Sequence, residues 1–517
     1  MRILPLLFAL AVAAPACAQE ARIGVQTETS AIDPHFALIG ANQVVAEMIF
    51  EPLLGADAGL HPIGGVASSF ARVADDVWEF RIRPGAKFHD GGKVTAEDVR
   101  FSLLRMPNVP GSPAPFVRLA GVTQAIEVAG DDVVRLRTRG FDPSVPLHAM
   151  SAWIVSARAA KDATTADFNA GRAAIGSGPW RFVAWKPGES LVLERFDPAQ
   201  DFARVTMRPM GNDAARLTAL LSGAVDLIDS VPPPDVERLR GDPKVKLWTA
   251  PSARFIYLAL DQEHDSSPQI TAADGKPLAA NPLKDKRVRR ALSLAINRPL
   301  IVERLLHGAG RATGQLVPEG FAGYDPAIAL PKYDPAAAKA LLADAGYPGG
   351  FKLVLTSPNN RYVEDDKTAQ AVAQMWARIG VATQVDVLPS NAFFSRAAKR
   401  EFAAFLIGFG SSAADSYTGM SQVVHTFDAS QGLGGLNRFR FSDPAVDAAL
   451  AASQTERDTG KRDALLREAA RVAFVEDTAL IPLHFPDNIW ATRAGFTYTP
   501  RMNEGAVPQF LRRALSK

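Results

Sequence analysis

The sequence predicts an α/β fold divided into more than one domain. Three observations carry this. The chain has 517 residues, more than one hydrophobic core organises. Its second half alternates helical and strand periodicities, the pattern of layered α/β structure. Its first half is rich in hairpin patterns. Hydrophobic residues make up 47% and charged residues 22%, the composition of a folded globular chain. The formal charge of +2 gives no basis for binding nucleic acid or an anionic membrane surface.

The N-terminus reads as a secretory signal. Arg2 supplies a positive start, Ile3 to Ala14 is almost wholly apolar, and Ala16-Cys17-Ala18 gives small residues for cleavage after Ala18. The predicted location is the periplasm. A lipid anchor on Cys17 is the lesser alternative, because Ala14-Pro15-Ala16 is a poor lipobox. Cys17 is the sole cysteine, so cleavage after Ala18 leaves no thiol for disulfides, catalysis or metal binding.

Along the mature chain, Trp78, Phe80 and Ile82 alternate with polar residues as a half-buried strand. Pro84-Gly85 ends it. Thr95 and Asp98 form a variant capping box before a helix bearing Val99, Leu103 and Leu104. His89, Asp90, Gly91 and Gly92 therefore fall in a strand-to-helix loop that orders itself through side-chain to backbone bonds. Hairpins are predicted about Gly130-Asp131-Asp132 and about Lys186-Pro187-Gly188. A helix from Asp213 to Leu221 precedes a strand at Val225 to Ile228, and Phe255 to Leu260 is a strand of large apolar residues.

In the second half, Val288, Ala291, Leu292, Ala295 and Ile296 keep one helical face. Asn297 and Asp334 cap further helices. Phe351 to Thr356, Val381 to Val387 and Phe402 to Ile407 read as strands. Val372, Met375, Trp376 and Ile379 stripe a helix. Asp443-Pro444 opens another, and a longer one covers Lys461 to Phe474.

Catalytic signatures fail individually. Gly410-Ser411-Ser412-Ala413-Ala414 lacks the final glycine of a nucleophile elbow, and Asn437 stands where a dinucleotide fingerprint begun at Gly432-Leu433-Gly434 needs glycine. The eight histidines include no HExxH pair, so no zinc-protease site is expected. No metal and no cofactor is predicted.

Five blocks, in order, resemble the extracellular solute-binding proteins, family 5, of ABC importers of the peptide and nickel type. They are "WEFRIRPGAKFHDGGKVTAEDVRFSLL" from Trp78, "GSGPWRFVAWKPGESLVLERF" from Gly176, "VRRALSLAINRPLIVERLLHGAG" from Val288, "YDPAAAKALLADAGYPGGF" from Tyr333 and "IPLHFPDNIWA" from Ile481. The resemblance implies a two-lobed periplasmic binding protein fold (type II, cluster C) with an additional inserted domain. Lobe I would comprise residues 19–49, 177–262 and 481–517, the inserted domain 50–176, and lobe II 263–480. It implies a monomer that captures di- or oligopeptides, or a related solute, and delivers them to the permease and ATPase of an inner-membrane ABC transporter, with no bond chemistry of its own.

The resemblance also points to ligand residues. Members that bind dipeptides place a carboxylate for the peptide ammonium three residues after an aromatic. Here that aromatic is Phe409 and the matching position is Ser412, with Asp415 as the substitute acid. Arg361 is the candidate for a peptide carboxylate. Phe36, Tyr257, Phe409 and Tyr417 are the aromatic candidates, with Ser411, Asn437 and Arg438 near the same pocket. His425 is the one histidine there, which leaves a metal chelate as a minor option. The alternatives are a non-peptide cargo (opine, sugar, glutathione-like molecule or metal chelate) and, remotely, a secreted serine hydrolase using Ser411 or Ser412.

Overall fold

The computed structural model describes residues 20–514. The signal sequence and Cys17 lie outside them. Two sheet halves are joined through one long strand, Ile481–Arg493. In the first half, Glu20–Val25 lies between Arg204–Pro209 and Leu227–Ile228, parallel to both. The predicted hairpin Trp180–Lys186 and Ser190–Arg195 extends that half antiparallel. Helix Asp213–Leu221 follows, capped by Asn212 as its side chain accepts from the Ala215 amide at 2.9 Å.

In the second half, Arg254–Leu260 pairs antiparallel with Ala404–Gly410 along its full length. Phe351–Pro358 lies parallel to both Ala404–Gly410 and Val381–Leu388. The helix stripe of the sequence becomes Asp365–Ala377, and Trp376, fully buried, donates its indole N–H to the Leu292 carbonyl at 2.9 Å. That bond ties two helices while satisfying the one polar atom of a large apolar side chain.

The shared strand changes sides midway. Its Asp487–Arg493 portion pairs with Val245–Pro251, and its Ile481–His484 portion with Arg254–Leu260. Two adjacent strands therefore cross between the lobes, the first at Ser252-Ala253 and the second near Phe485-Pro486. At each crossing the strand changes the partners with which it pairs.

The inserted segment carries a four-stranded antiparallel sheet in the order Ala67–Ala74, Val77–Ile82, Val133–Thr138, Thr123–Ala129. Helix Ala96–Arg105 has the predicted capping box, with Thr95 Oγ1 and Asp98 bonded reciprocally. The His89 loop is an anchor. The His89 amide donates to the Gly176 carbonyl at 2.8 Å, its Nε2 meets the Gly178 carbonyl at 3.0 Å, and its ring lies edge-on to Phe196 at 4.7 Å. Burial lowers its pKa to about 4, so it docks as a neutral ring. At this junction Gly176 and Gly178 press on helix Gly40–Ile49, and a Cβ on either would collide with the backbone of Met48 or Ile49. The inserted segment and the first lobe share one continuous apolar core, whereas the second lobe has its own.

Candidate functional site

The two lobes meet around residues 411–416, which run from strand Ala404–Gly410 into helix Tyr417–Val423. The loop reaches across. Ala413 packs into the core of the first lobe and inserted segment, and the Ala414 amide donates to the Leu60 carbonyl at 3.0 Å. Leu60, from the inserted segment, is buried in the core of the second lobe. Arg457 and Asp75 add an exposed ion pair of 2.6 Å between the same parts.

A polar group gathers beside this contact. Asp415 is buried and pairs with Arg462 at 2.7 Å, while its other oxygen accepts from the Tyr417 amide at 2.8 Å. Tyr417 is partly buried. Burial first, and then the nearby Asp142 carboxylate, push its hydroxyl pKa up to about 12, so it is a neutral donor at ordinary pH. Among the charges that act on it is Arg118, on helix Val117–Val122 of the inserted segment. Arg118 is partly buried and makes no ion pair or side-chain hydrogen bond among the described residues. Burial lowers its pKa, and Tyr417 is the nearby group that opposes this. His148, on the adjoining helix Val145–Ala149, is pushed down to about 3 by burial and by Arg118, and is a neutral imidazole.

A second group lies at the first hinge crossing. Arg254 is partly buried, its buried Nε has no partner among the described residues, and its Nη2 pairs with Glu504 from the C-terminal segment of the first lobe. Arg361 reaches the same carboxylate at 3.8 Å. The Arg254 and Arg361 guanidinium groups stand 5.7 and 5.0 Å from the Tyr362 ring centre, and Tyr362 donates to the Gly408 carbonyl at 3.3 Å. Burial, with Arg361 adding, lowers the Arg254 pKa to about 9. Asp365 holds this loop by accepting from the Arg361 and Tyr362 amides at 3.1 and 3.0 Å, and burial raises its carboxyl to about 6.

The sequence candidates thus separate. Tyr417 and Arg361 stand where the lobes approach. Arg438 is partly buried with its guanidinium 5.6 Å from the Phe394 ring centre and no ion pair among the described residues. Phe409 is partly buried against helix residue Gly419. Phe36 is partly buried, and its carbonyl accepts from Ser112 Oγ at 2.6 Å. Tyr257 is buried and stacks on Phe255 at 5.0 Å.

Three candidates spend their polar atoms internally. Asn437 is fully buried, donating to the His425 and Phe441 carbonyls and accepting from the Phe441 amide. Ser411 Oγ donates to the Ala413 carbonyl at 2.6 Å, and Ser412 beside it is exposed. Asp415 is taken by Arg462. Arg118, His148, Arg254, Tyr362 and Glu504 were not singled out from the sequence. No local pattern marks them, since each acquires its neighbours only through contacts between remote segments.

Two lobes linked by paired crossing strands, with polar side chains from both brought together beside the crossing, define a solute-binding protein. The family model for bacterial extracellular solute-binding proteins, family 5, matches residues 61–431, and the chain belongs to that family. A glutathione-binding protein, GsiB, of Pectobacterium atrosepticum is 26% identical over 469 residues, 87% of this chain and 86% of the relative. Among solved structures, the ABC transporter-associated periplasmic binding protein DppA of Helicobacter pylori, in complex with the peptide STSA, superposes with a TM-score of 0.79 at 21% identity, covering 96% of this chain and 98% of that one. NikZ of Campylobacter jejuni, in complex with Ni(L-His), gives a TM-score of 0.79 at 20% identity, covering 94% and 98%.

Proposed function

We propose that the protein is the exported, monomeric capture component of an ABC importer, which encloses a peptide or related small solute between its lobes and presents the closed form to a membrane permease and its ATPase. The observation that carries this is the placing of polar groups from both lobes and the inserted segment beside two crossing strands, in a chain of this family. A hinge of two strands allows rigid lobes to rotate with little repacking. A solute touching both sides binds the closed form better than the open one, and that difference alone drives closure. The ligands named for the similar proteins, the peptide STSA and glutathione, support a peptide-like size.

The test is thermal denaturation across di- to pentapeptides and glutathione, with native mass spectrometry of freshly purified protein. A saturating probe at about 100 times its dissociation constant adds roughly 2.7 kcal/mol of stability. Absence of any saturable shift and of any retained small molecule, together with measured ester or peptide turnover, refutes the proposal in favour of a hydrolase.

A non-peptide cargo is the second reading. The Asp415–Arg462 pair favours it, because with Ser412 at the matching position neither residue presents a free carboxylate to a peptide ammonium.

A further inference from the structure

Building on the two-lobed capture reading, we infer that the inserted segment is a latch on the second lobe, whose hairpin tip at Leu60 and carboxylate at Asp75 set how far the protein rests towards closure before any solute arrives. The cores carry the first observation. Among the described residues, Leu60 is the one residue of the inserted segment in the second lobe's core, and Ala413 is the one residue of the second lobe in the core that the first lobe shares with the inserted segment. The two side chains are exchanged across a single backbone bond, the 3.0 Å donation from the Ala414 amide to the Leu60 carbonyl. The inserted segment moves with the first lobe, because their core is continuous. A rotation about the crossing strands therefore has to draw Leu60, 1% exposed, out of apolar surroundings and into water.

The tip is built to present that side chain. Leu60 has φ +67°, a left-handed backbone that leucine rarely adopts and glycine takes freely. Strain of this kind persists where surrounding bonds over-determine it. Here Asp57 does so. Its carbonyl accepts from the Leu60 amide at 3.1 Å, its amide donates to the His61 carbonyl at 3.0 Å, and its Oδ1 accepts from the Gly59 and His61 amides at 2.9 and 2.8 Å. Strands Leu54–Ala56 and Pro62–Gly64 pair behind the turn. The second contact joins the same two bodies at another place. Asp75 pairs with Arg72 of the inserted segment at 3.1 Å and with Arg457 of the second lobe at 2.6 Å, and both guanidinium groups stand by the Phe141 ring, 4.8 and 5.6 Å from its centre. The buried leucine supplies a hold that salt does not screen, and the exposed Asp75–Arg457 pair a weaker one that salt does. A solute then shifts an equilibrium whose resting position these contacts set.

Hydrogen exchange of the unliganded mature chain, read at residues 411–416 by mass spectrometry, tests this, because protected amides exchange through opening. Leu60→Gly keeps the left-handed turn and removes the plug, so the Ala414 amide should exchange roughly 10- to 100-fold faster, the worth of one buried leucine side chain. The four-stranded sheet of the inserted segment should keep its protection, which separates opening from unfolding. Arg457 bonds to nothing in the 411–416 loop among the described residues. Arg457→Gln should nonetheless speed the same amide by about two- to fivefold, because both contacts part in one motion. Raising salt to about 1 M should speed it in the parent and not in Arg457→Gln. Parent-like exchange at Ala414 in Leu60→Gly, or indifference of that amide to both Arg457→Gln and salt, overturns the inference. No solute enters the measurement, so either result leaves solute capture to its own test.

Discussion

Asp415→Asn separates an architectural acid from a ligand acid. The Asp415 and Arg462 side chains are 5% and 11% exposed, and their 2.7 Å contact joins the loop that bridges the lobes to helix Thr459–Arg471. Arg462 already carries two buried nitrogens without partners, Nε and one Nη, so it has no second acceptor to fall back on. Removing one member of a buried pair costs about 3–5 kcal/mol, since the remaining charge stays desolvated. Asparagine keeps an oxygen for the Tyr417 amide, worth about 1 kcal/mol, which places the expected loss at the lower end, about 3 kcal/mol. Urea denaturation followed by tryptophan fluorescence measures it. Adding Arg462→Gln should recover most of the loss, because the stranded charge is then gone. A variant as stable as the parent that nonetheless loses solute affinity tenfold or more would refute the reasoning and make Asp415 a ligand residue.

Other outcomes follow from the same contacts. His35, His89 and His484 are buried with pKa values lowered to about 4, so the unfolded chain takes up more protons between pH 6.5 and 4. Their contribution is whole above pH 6.5 and is lost as the pH falls towards 4, by up to about 3 kcal/mol each. Chemical denaturation at pH 7 and 5 should show this, and His484→Phe, at a ring with no hydrogen-bond partner, should flatten the pH dependence; an unchanged slope contradicts it. Glu504→Gln removes the carboxylate that ties Arg254 and Arg361 to the first lobe, so the unliganded population should move towards open forms by roughly fivefold, about 1 kcal/mol for a partly exposed ion pair. Small-angle scattering should record a larger radius of gyration, and an unaltered profile counts against a latch. Gly176→Ala forces a Cβ onto the Ile49 carbonyl and should cost about 1–3 kcal/mol or more in urea unfolding; a neutral result would mean that the junction yields.

The local elements were legible because their causes are local. Asn297, Asp334 and Asp443 each cap the helix they precede, and the capping box at Thr95 and Asp98 forms as read. The striped Val288, Ala291 and Leu292 are buried on helix Lys286–Leu294 and Val372, Met375 and Trp376 on helix Asp365–Ala377, while Ala295, Ile296 and Ile379 are buried just past the helix ends. Helix Thr459–Arg471 ends in a π-turn, Val472–Glu476, which periodicity alone does not distinguish from continued helix. The candidate site was legible only in part. Tyr417 and Arg361 were named from their segments, but the pairing of Asp415 with Arg462, 47 residues away, could not be read in advance.

The sequence by itself determined the α/β character and the order of elements, because periodicity, capping and turn chemistry act within a few residues, and its five ordered blocks carried the resemblance to the binding-protein family. Tertiary structure alone decided where the chain crosses between lobes and which acids are neutralised. Those outcomes depend on strands and side chains hundreds of residues apart, such as Arg254 and Glu504, meeting in a place where water is excluded and every unpaired charge counts.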